Sequence, residues 1–157
     1  MPDTPEFLAG RLTDEGLKTT EFFNGLTSDQ WDIRVYSDGT QWALRQILTH
    51  FVASEESFNR LIENVLKGGA GAPEGFDIDQ FNEKKVRQLQ DLSITEMIKR
   101  FENARQRNID LVSSMTAADL LIVGRHPFLG VVPLVDMIKL IYRHNQIHQR
   151  DMRKKLV

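Results

Sequence analysis

His144 and His148 stand one helical turn apart, and His50 lies far upstream in a separate apolar segment. Side chains at i and i+4 share one face of a helix. Two imidazoles at this spacing sit about 6 Å apart along the axis and can reach one ion. The chain has no cysteine, which excludes a disulfide scaffold, an iron–sulfur cluster and a cysteine nucleophile. A metal would therefore be held by histidine or oxygen. An ion on three neutral imidazoles keeps its full positive charge and an open position, and it lowers the pKa of a bound water to about 7. It would also hold a thiol as thiolate, although a free thiol has a pKa of about 8.5. Either route makes a nucleophile at neutral pH without a protein cysteine. A zincin-type protease is not indicated, because that motif needs glutamate beside its first histidine and Asn145 stands there.

The segment carrying the pair is amphipathic. At 100° per residue with His144 at 0°, Met137, Ile141, Leu134, Ile138, His148 and Met152 fall between about 0° and 120°. Asp136, Lys139, Arg143, Gln146, Arg150 and Arg153 fall between about 180° and 280°. His144 and His148 thus belong to the buried face. Upstream, Ala43, Ile47, His50, Ser54, Phe58 and Leu61 share one face, so His50 also points inward. A lone inward histidine is ordinarily a hydrogen-bonded core residue. An i, i+4 pair is harder to place that way, because this stripe offers few partners apart from Asn145. Ligand and core readings both stay open at this stage. Glu55 and Glu56 follow His50 by about a turn. They read as solvated surface residues ahead of base or supporting groups. Level placement of His50 with the pair suits antiparallel helices, but parallel helices of these lengths nearly allow it too.

Four main helical stretches emerge, and no segment alternates like a strand. The first runs from Pro5 to Leu26. Thr27-Ser28-Asp29-Gln30 reads as a capping box opening a short turn at Trp31. Asp38-Gly39-Thr40 reads as a turn and N-cap for a second helix, Gln41 to Lys67, which is stopped by the run Gly68 to Pro73. A further helical segment begins at Asp77 or Asp79 and reaches Gln90. Ser93-Ile94-Thr95-Glu96 is a second capping box, and Ile94, Met97, Phe101, Ala104, Leu111 and Met115 follow at helical spacing. Leu121 to Val132, with Gly124, Pro127 and Gly130, reads as a long loop before the last helix. Pro133 opens that helix, which ends near Lys155. The expected fold is an all-α four-helix bundle in one domain, residues 1–157.

The net charge is -2 and the pI about 6.1, so nucleic acid is not an expected partner. The basic run Arg150, Arg153, Lys154, Lys155 reads as a solvated helix end that complements the dipole. No apolar run approaches the ~20 residues of a membrane span. Residues 1–13 lack an apolar signal core. The expectation is a cytoplasmic protein without a membrane partner, a monomer or a small oligomer such as a homodimer.

Trp42 eight residues before His50, then Asp79-Gln80-Phe81-Asn82-Glu83, then His126-Pro127-Phe128-Leu129-Gly130 followed by His144 and His148-Gln149 together resemble the DinB/YfiT-like superfamily. The likeness runs from about Trp31 to Arg150 and rests on order and spacing. It implies an up-down-down-up four-helix bundle with a metal site carried over onto His50, His144 and His148, holding one divalent ion of nickel, zinc or iron. His126 is not a ligand in this pattern and reads as a loop residue at a pocket mouth or on the surface. Relatives include bacillithiol- or mycothiol-using S-transferases and a mycothiol-dependent maleylpyruvate isomerase. The implied function is a metal-dependent transferase joining a low-molecular-weight thiol to a small electrophile. The alternatives are a metal-dependent hydrolase and a non-enzymatic metal-binding stress-response protein.

Overall fold

The computed structural model describes residues 3–157; Met1 and Pro2, the start of the segment read as lacking a signal core, lie outside the described residues. Five α-helices and one short hairpin follow in order. Helix α1 spans Pro5–Asn24, α2 Leu44–Leu66, α3 Ile78–Leu89, α4 Ile94–Ser113 and α5 Leu134–Lys155. Strands β1, Val123–His126, and β2, Gly130–Pro133, precede α5. None of these helices is long and apolar enough to cross a membrane.

The helix starts follow local chemistry. Thr4 accepts from Phe7 N, Asp77 from Gln80 N, and Ser93 and Glu96 close a reciprocal capping box, each satisfying amides that the first turn leaves unpaired. Helix α2 begins at Leu44, three residues later than the sequence suggests. Residues 41–43 are instead drawn into an extended bridge: Val35 N donates to Trp42 O at 2.9 Å and Leu44 N to Ile33 O at 3.1 Å. Gln46 Oε1 then accepts from Ala43 N at 2.7 Å. Gln41 lies at φ 54 on entry to this bridge.

Helices α1, α2, α4 and α5 form the bundle, and their contacts fix its directions. On α1 and α5, Arg11 meets Tyr142 and Thr19 meets Gln149, so these helices run parallel. On α2 and α4, Thr49 meets Met97 and Glu55 meets Arg105, so these also run parallel. Met152 packs in one core cluster with Leu44 and Ile47, while Leu134 and Ile138 pack in the other with Ile62 and Val65. Hence α5 opposes α2, and the order is up-down-down-up.

The two apolar clusters occupy opposite ends of the bundle, and buried Glu15, Thr19, His50, Glu55, Arg105, Asn108, Asn145 and Gln149 lie between them. Glu55 is not a solvated residue. It is 2% exposed and binds Arg105 through two hydrogen bonds, 2.6 and 3.0 Å. Asn108 Nδ2 donates to its carboxylate at 2.9 Å, and Arg105 Nη1 donates to Leu12 O at 2.9 Å. This cluster joins α1, α2 and α4 by satisfying each buried charge with a partner.

The segment expected as a loop, Leu121 to Val132, contains the β1–β2 hairpin, paired from Val123↔Pro133 to His126↔Gly130. Its burial does not follow apolar–polar alternation, because Gly124 and His126 are the buried positions and Val123 is exposed. Gly71 bridges Arg125 at φ 90, and a Cβ there would run into the Arg125 backbone. The glycine-rich run after α2 is thereby pinned against the hairpin.

Candidate metal centre

His50 points from the second turn of α2, and His144 and His148 point from consecutive turns of α5. Because α2 and α5 run antiparallel, the three rings meet at one depth. His50 Nε2 lies 2.9 Å from His144 Nε2, and His148 Nε2 lies 3.2 Å from the same atom. One ligand atom from each ring falls within 4.8 Å of the others, and among the described residues no carboxylate joins the group.

The rings are held from behind. Tyr36 Oη sits 2.7 Å from His148 Nδ1 and 2.7 Å from Asp151 Oδ2. An ionised carboxylate only accepts, so the phenol proton goes to Asp151 and the phenol oxygen accepts from His148 Nδ1–H. That tautomer leaves a lone pair on Nε2, facing the other two histidines. His50 Nδ1 has Ser54 Oγ at 3.4 Å and its ring packs on Trp42, centroids 4.8 Å apart. His144 Nδ1 is buried with no hydrogen-bond partner among the described residues.

Burial keeps all three imidazoles neutral. His50 is pushed well below its ordinary pKa by desolvation and then by the charges that His144 and His148 would carry. His144 is lowered to about 3 by burial and next by His148. His148 is lowered to about 4 by burial, against the opposing pull of Asp151. Burial and the Asp151 carboxylate push the Tyr36 phenol upward, so it stays protonated. Three neutral nitrogens converging on one point suit a borderline divalent cation, and the residues fit such an ion.

Two chambers flank the group. One, about 1090 Å³, is polar and includes Tyr36, Asp38, Asp77, Asp79 and Glu83. The other, about 460 Å³, is walled largely by Phe58, Leu61, Phe76, Phe81, Phe128 and Leu140. Both reach His50 and His144, and α3 lies across them, with Asp79 and Asn82 lining each. His126 lies buried on β1 and borders the apolar chamber, rather than standing in a surface loop. Tyr36 and Asp151 are invisible to local sequence reading. Tyr36 is 112 residues from its histidine, and Asp151 looks like any acid on a helix exterior.

A sequence model of the DinB superfamily matches residues 11–152. No curated protein matches the chain. Among solved structures, the mycothiol-dependent maleylpyruvate isomerase superposes with a TM-score of 0.76 at 12% identity, over 97% of this chain and 61% of that one. This chain therefore spans less than two thirds of the isomerase. YfiT from Bacillus subtilis, described as a probable metal-dependent hydrolase with an unusual four-helix bundle topology, gives 0.77 at 18% identity, covering 96% and 85%. The colibactin self-resistance protein ClbS, solved in complex with a dsDNA, gives 0.70 at 14% identity, covering 99% and 97%.

The last of these overturns one expectation. The net charge of -2 makes nucleic acid an unexpected partner, yet a protein of this fold is found on duplex DNA. Net charge averages over a surface, whereas phosphate attraction follows the local field. Here Arg143, Arg150, Arg153, Lys154 and Lys155 are all exposed on α5 within a chain of net charge -2.

Proposed function

Because the chain belongs to the DinB superfamily, we propose that it is a metal-dependent enzyme that joins a low-molecular-weight thiol to a small electrophile, with His50, His144 and His148 as the metal ligands. The observation that carries this reading is the convergence of three Nε2 atoms, 2.9 and 3.2 Å apart, where a polar and an apolar chamber meet. A divalent ion held there supplies Lewis acidity, keeping a thiol as thiolate near neutral pH. Three protein ligands without a carboxylate leave a coordination position open, as catalytic sites do and closed structural sites do not.

The chain's own residues divide the remaining work. The chain has no cysteine, so the sulfur nucleophile comes from solution. Asp38, Asp77, Asp79 and Glu83 offer acceptors to the hydroxyl or ammonium groups of a hydrophilic thiol in the polar chamber. The aromatic chamber takes the apolar electrophile and excludes water from its side of the site. Tyr36 and Asp151 hold His148 in the ligating tautomer. A second reading, hydrolysis by an activated water, draws on the YfiT description and on the breadth of the polar chamber.

Purified protein loaded with zinc or nickel is expected to hold about one ion per chain and to conjugate a model electrophile only when a small thiol is added. Absence of tight metal binding at neutral pH would falsify the ligand assignment. Turnover of an ester or amide without thiol would select the hydrolase reading.

A further inference from the structure

The fourth histidine has no part in the metal group, yet its proton is fixed in place. His126 Nδ1 accepts from two backbone amides of the hairpin turn, Phe128 N at 3.0 Å and Leu129 N at 3.2 Å. A nitrogen that accepts carries no proton, so a neutral ring has its single hydrogen on Nε2. Burial lowers the His126 pKa to about 4, and the ring is therefore neutral at physiological pH. It is also immobilised, because it stacks on Phe58 with centroids 5.6 Å apart and 24° between planes. A ring flip would break both hydrogen bonds from the turn amides.

The hydrogen bonds that fix Nδ1 leave Nε2 with no partner among the described residues, and Nε2 is not one of the fully enclosed unpaired atoms. The ring borders the apolar chamber that also reaches His50 and His144. A neutral donor held rigidly beside apolar walls favours an uncharged acceptor, since those walls make burying a charged group far costlier than burying a hydrogen-bonded neutral one.

We propose that His126 is a substrate-binding residue whose Nε2–H donates to a carbonyl or ether oxygen of an uncharged aryl or alkyl substrate seated in the apolar chamber. This assigns the electrophile's chemical class and rests on the reading of that chamber as the electrophile pocket. Phe58, Leu61, Phe81 and Leu140 hold the hydrocarbon part, while His126 sets its orientation toward the metal group. Neutrality matters here: a donor that stays uncharged at physiological pH raises no repulsion toward an ion held by the neighbouring histidines.

The test uses the full chain and two probes of similar shape, acetophenone and ethylbenzene, titrated with and without one equivalent of zinc. In His126→Asn the amide oxygen can still accept from the turn, but the NH2 donors of the shorter side chain end short of the position Nε2 reaches. Acetophenone affinity is expected to fall about tenfold in this variant, the worth of one net hydrogen bond, while ethylbenzene affinity stays within about twofold. In wild type, the His126 Nε2 nitrogen resonance is expected to move on adding acetophenone and to stay put with ethylbenzene. This second measurement decides the matter if the variant does not fold. Equal losses for both probes, no loss for either, an unmoved resonance, or no saturable binding would each overturn the assignment. The two readings fail separately. If zinc does not bind but the ketone effect appears, the metal proposal falls and His126 stands. If zinc binds and the ketone effect is absent, His126 alone falls.

Discussion

Whether His148 can ligate a metal depends on which of its ring nitrogens carries a proton, and Tyr36 sets that. Its oxygen takes the His148 Nδ1 hydrogen while its own proton goes to Asp151, both at 2.7 Å. Tyr36→Phe deletes this acceptor without changing ring packing. Zinc affinity measured by competition with a chelator is expected to fall about 10- to 100-fold, with little change in the unfolding midpoint of metal-free protein. An unchanged affinity would show that His148 needs no orienting partner. His148→Ala asks the coarser question. The metal-dependent rise in unfolding midpoint is expected to be large in wild type and nearly gone in the variant, while the helical spectrum persists. Equal rises in both proteins would return His148 to the core. The two inward histidines of α5 and the one of α2 were legible from helical angle alone. Tyr36 and Asp151 were not, because a hydrogen bond spanning 112 residues leaves no mark on local periodicity.

Among the elements, α2 and α4 are locked by a charged pair rather than by apolar contact alone. Arg105 and Glu55 are 4% and 2% exposed at their side chains, and neither has water to fall back on if its partner is lost. Glu55→Ala is expected to destabilise the protein by roughly 3–5 kcal/mol in chemical denaturation, since it strands a buried guanidinium. Replacing both with apolar residues, Glu55→Met with Arg105→Leu, is expected to cost far less and to leave the fold intact. A small loss in the single variant would mean that Arg105 escapes to solvent. Helical faces, capping boxes and the glycine stop after α2 could be read from the chain. The β1–β2 hairpin could not, because Gly124 and His126 are its buried positions and no alternation announces it. The same blind spot sent Glu55 to the surface, since a glutamate's partner on another helix cannot be seen from its own.

Across the whole molecule, burying neutral histidines couples stability to pH. His126, His144 and His148 are lowered to about 4, 3 and 4, and His50 falls well below its ordinary value. In the unfolded chain each takes up its proton near pH 6.5. Between that value and the folded ones the unfolded state binds more protons, so stability rises with pH across this window. The contribution is complete above about pH 6.5 and is lost as the pH falls toward about 4, the folded value of His126 and His148. The unfolding midpoint of metal-free protein is therefore expected to drop steadily from pH 7 to pH 4, and bound zinc, by competing with protons at the same nitrogens, should steepen that drop. A flat profile would mean that these rings are solvated when folded. The amphipathic stripes alone determined an all-α bundle with inward histidines, because burial of an apolar face is a local periodic property. Family motifs, by their order and spacing, pointed to which three histidines belong together. Periodicity left the direction of α2 against α5 open, and the resemblance implied it. The tertiary structure shows them opposed, so that the rings meet at one depth. Only the tertiary structure decided that His126 lies in a chamber wall with its proton turned away from the hairpin. Those outcomes depend on helix direction, on pairings far apart in the chain and on local fields, none of which composition or periodicity encodes.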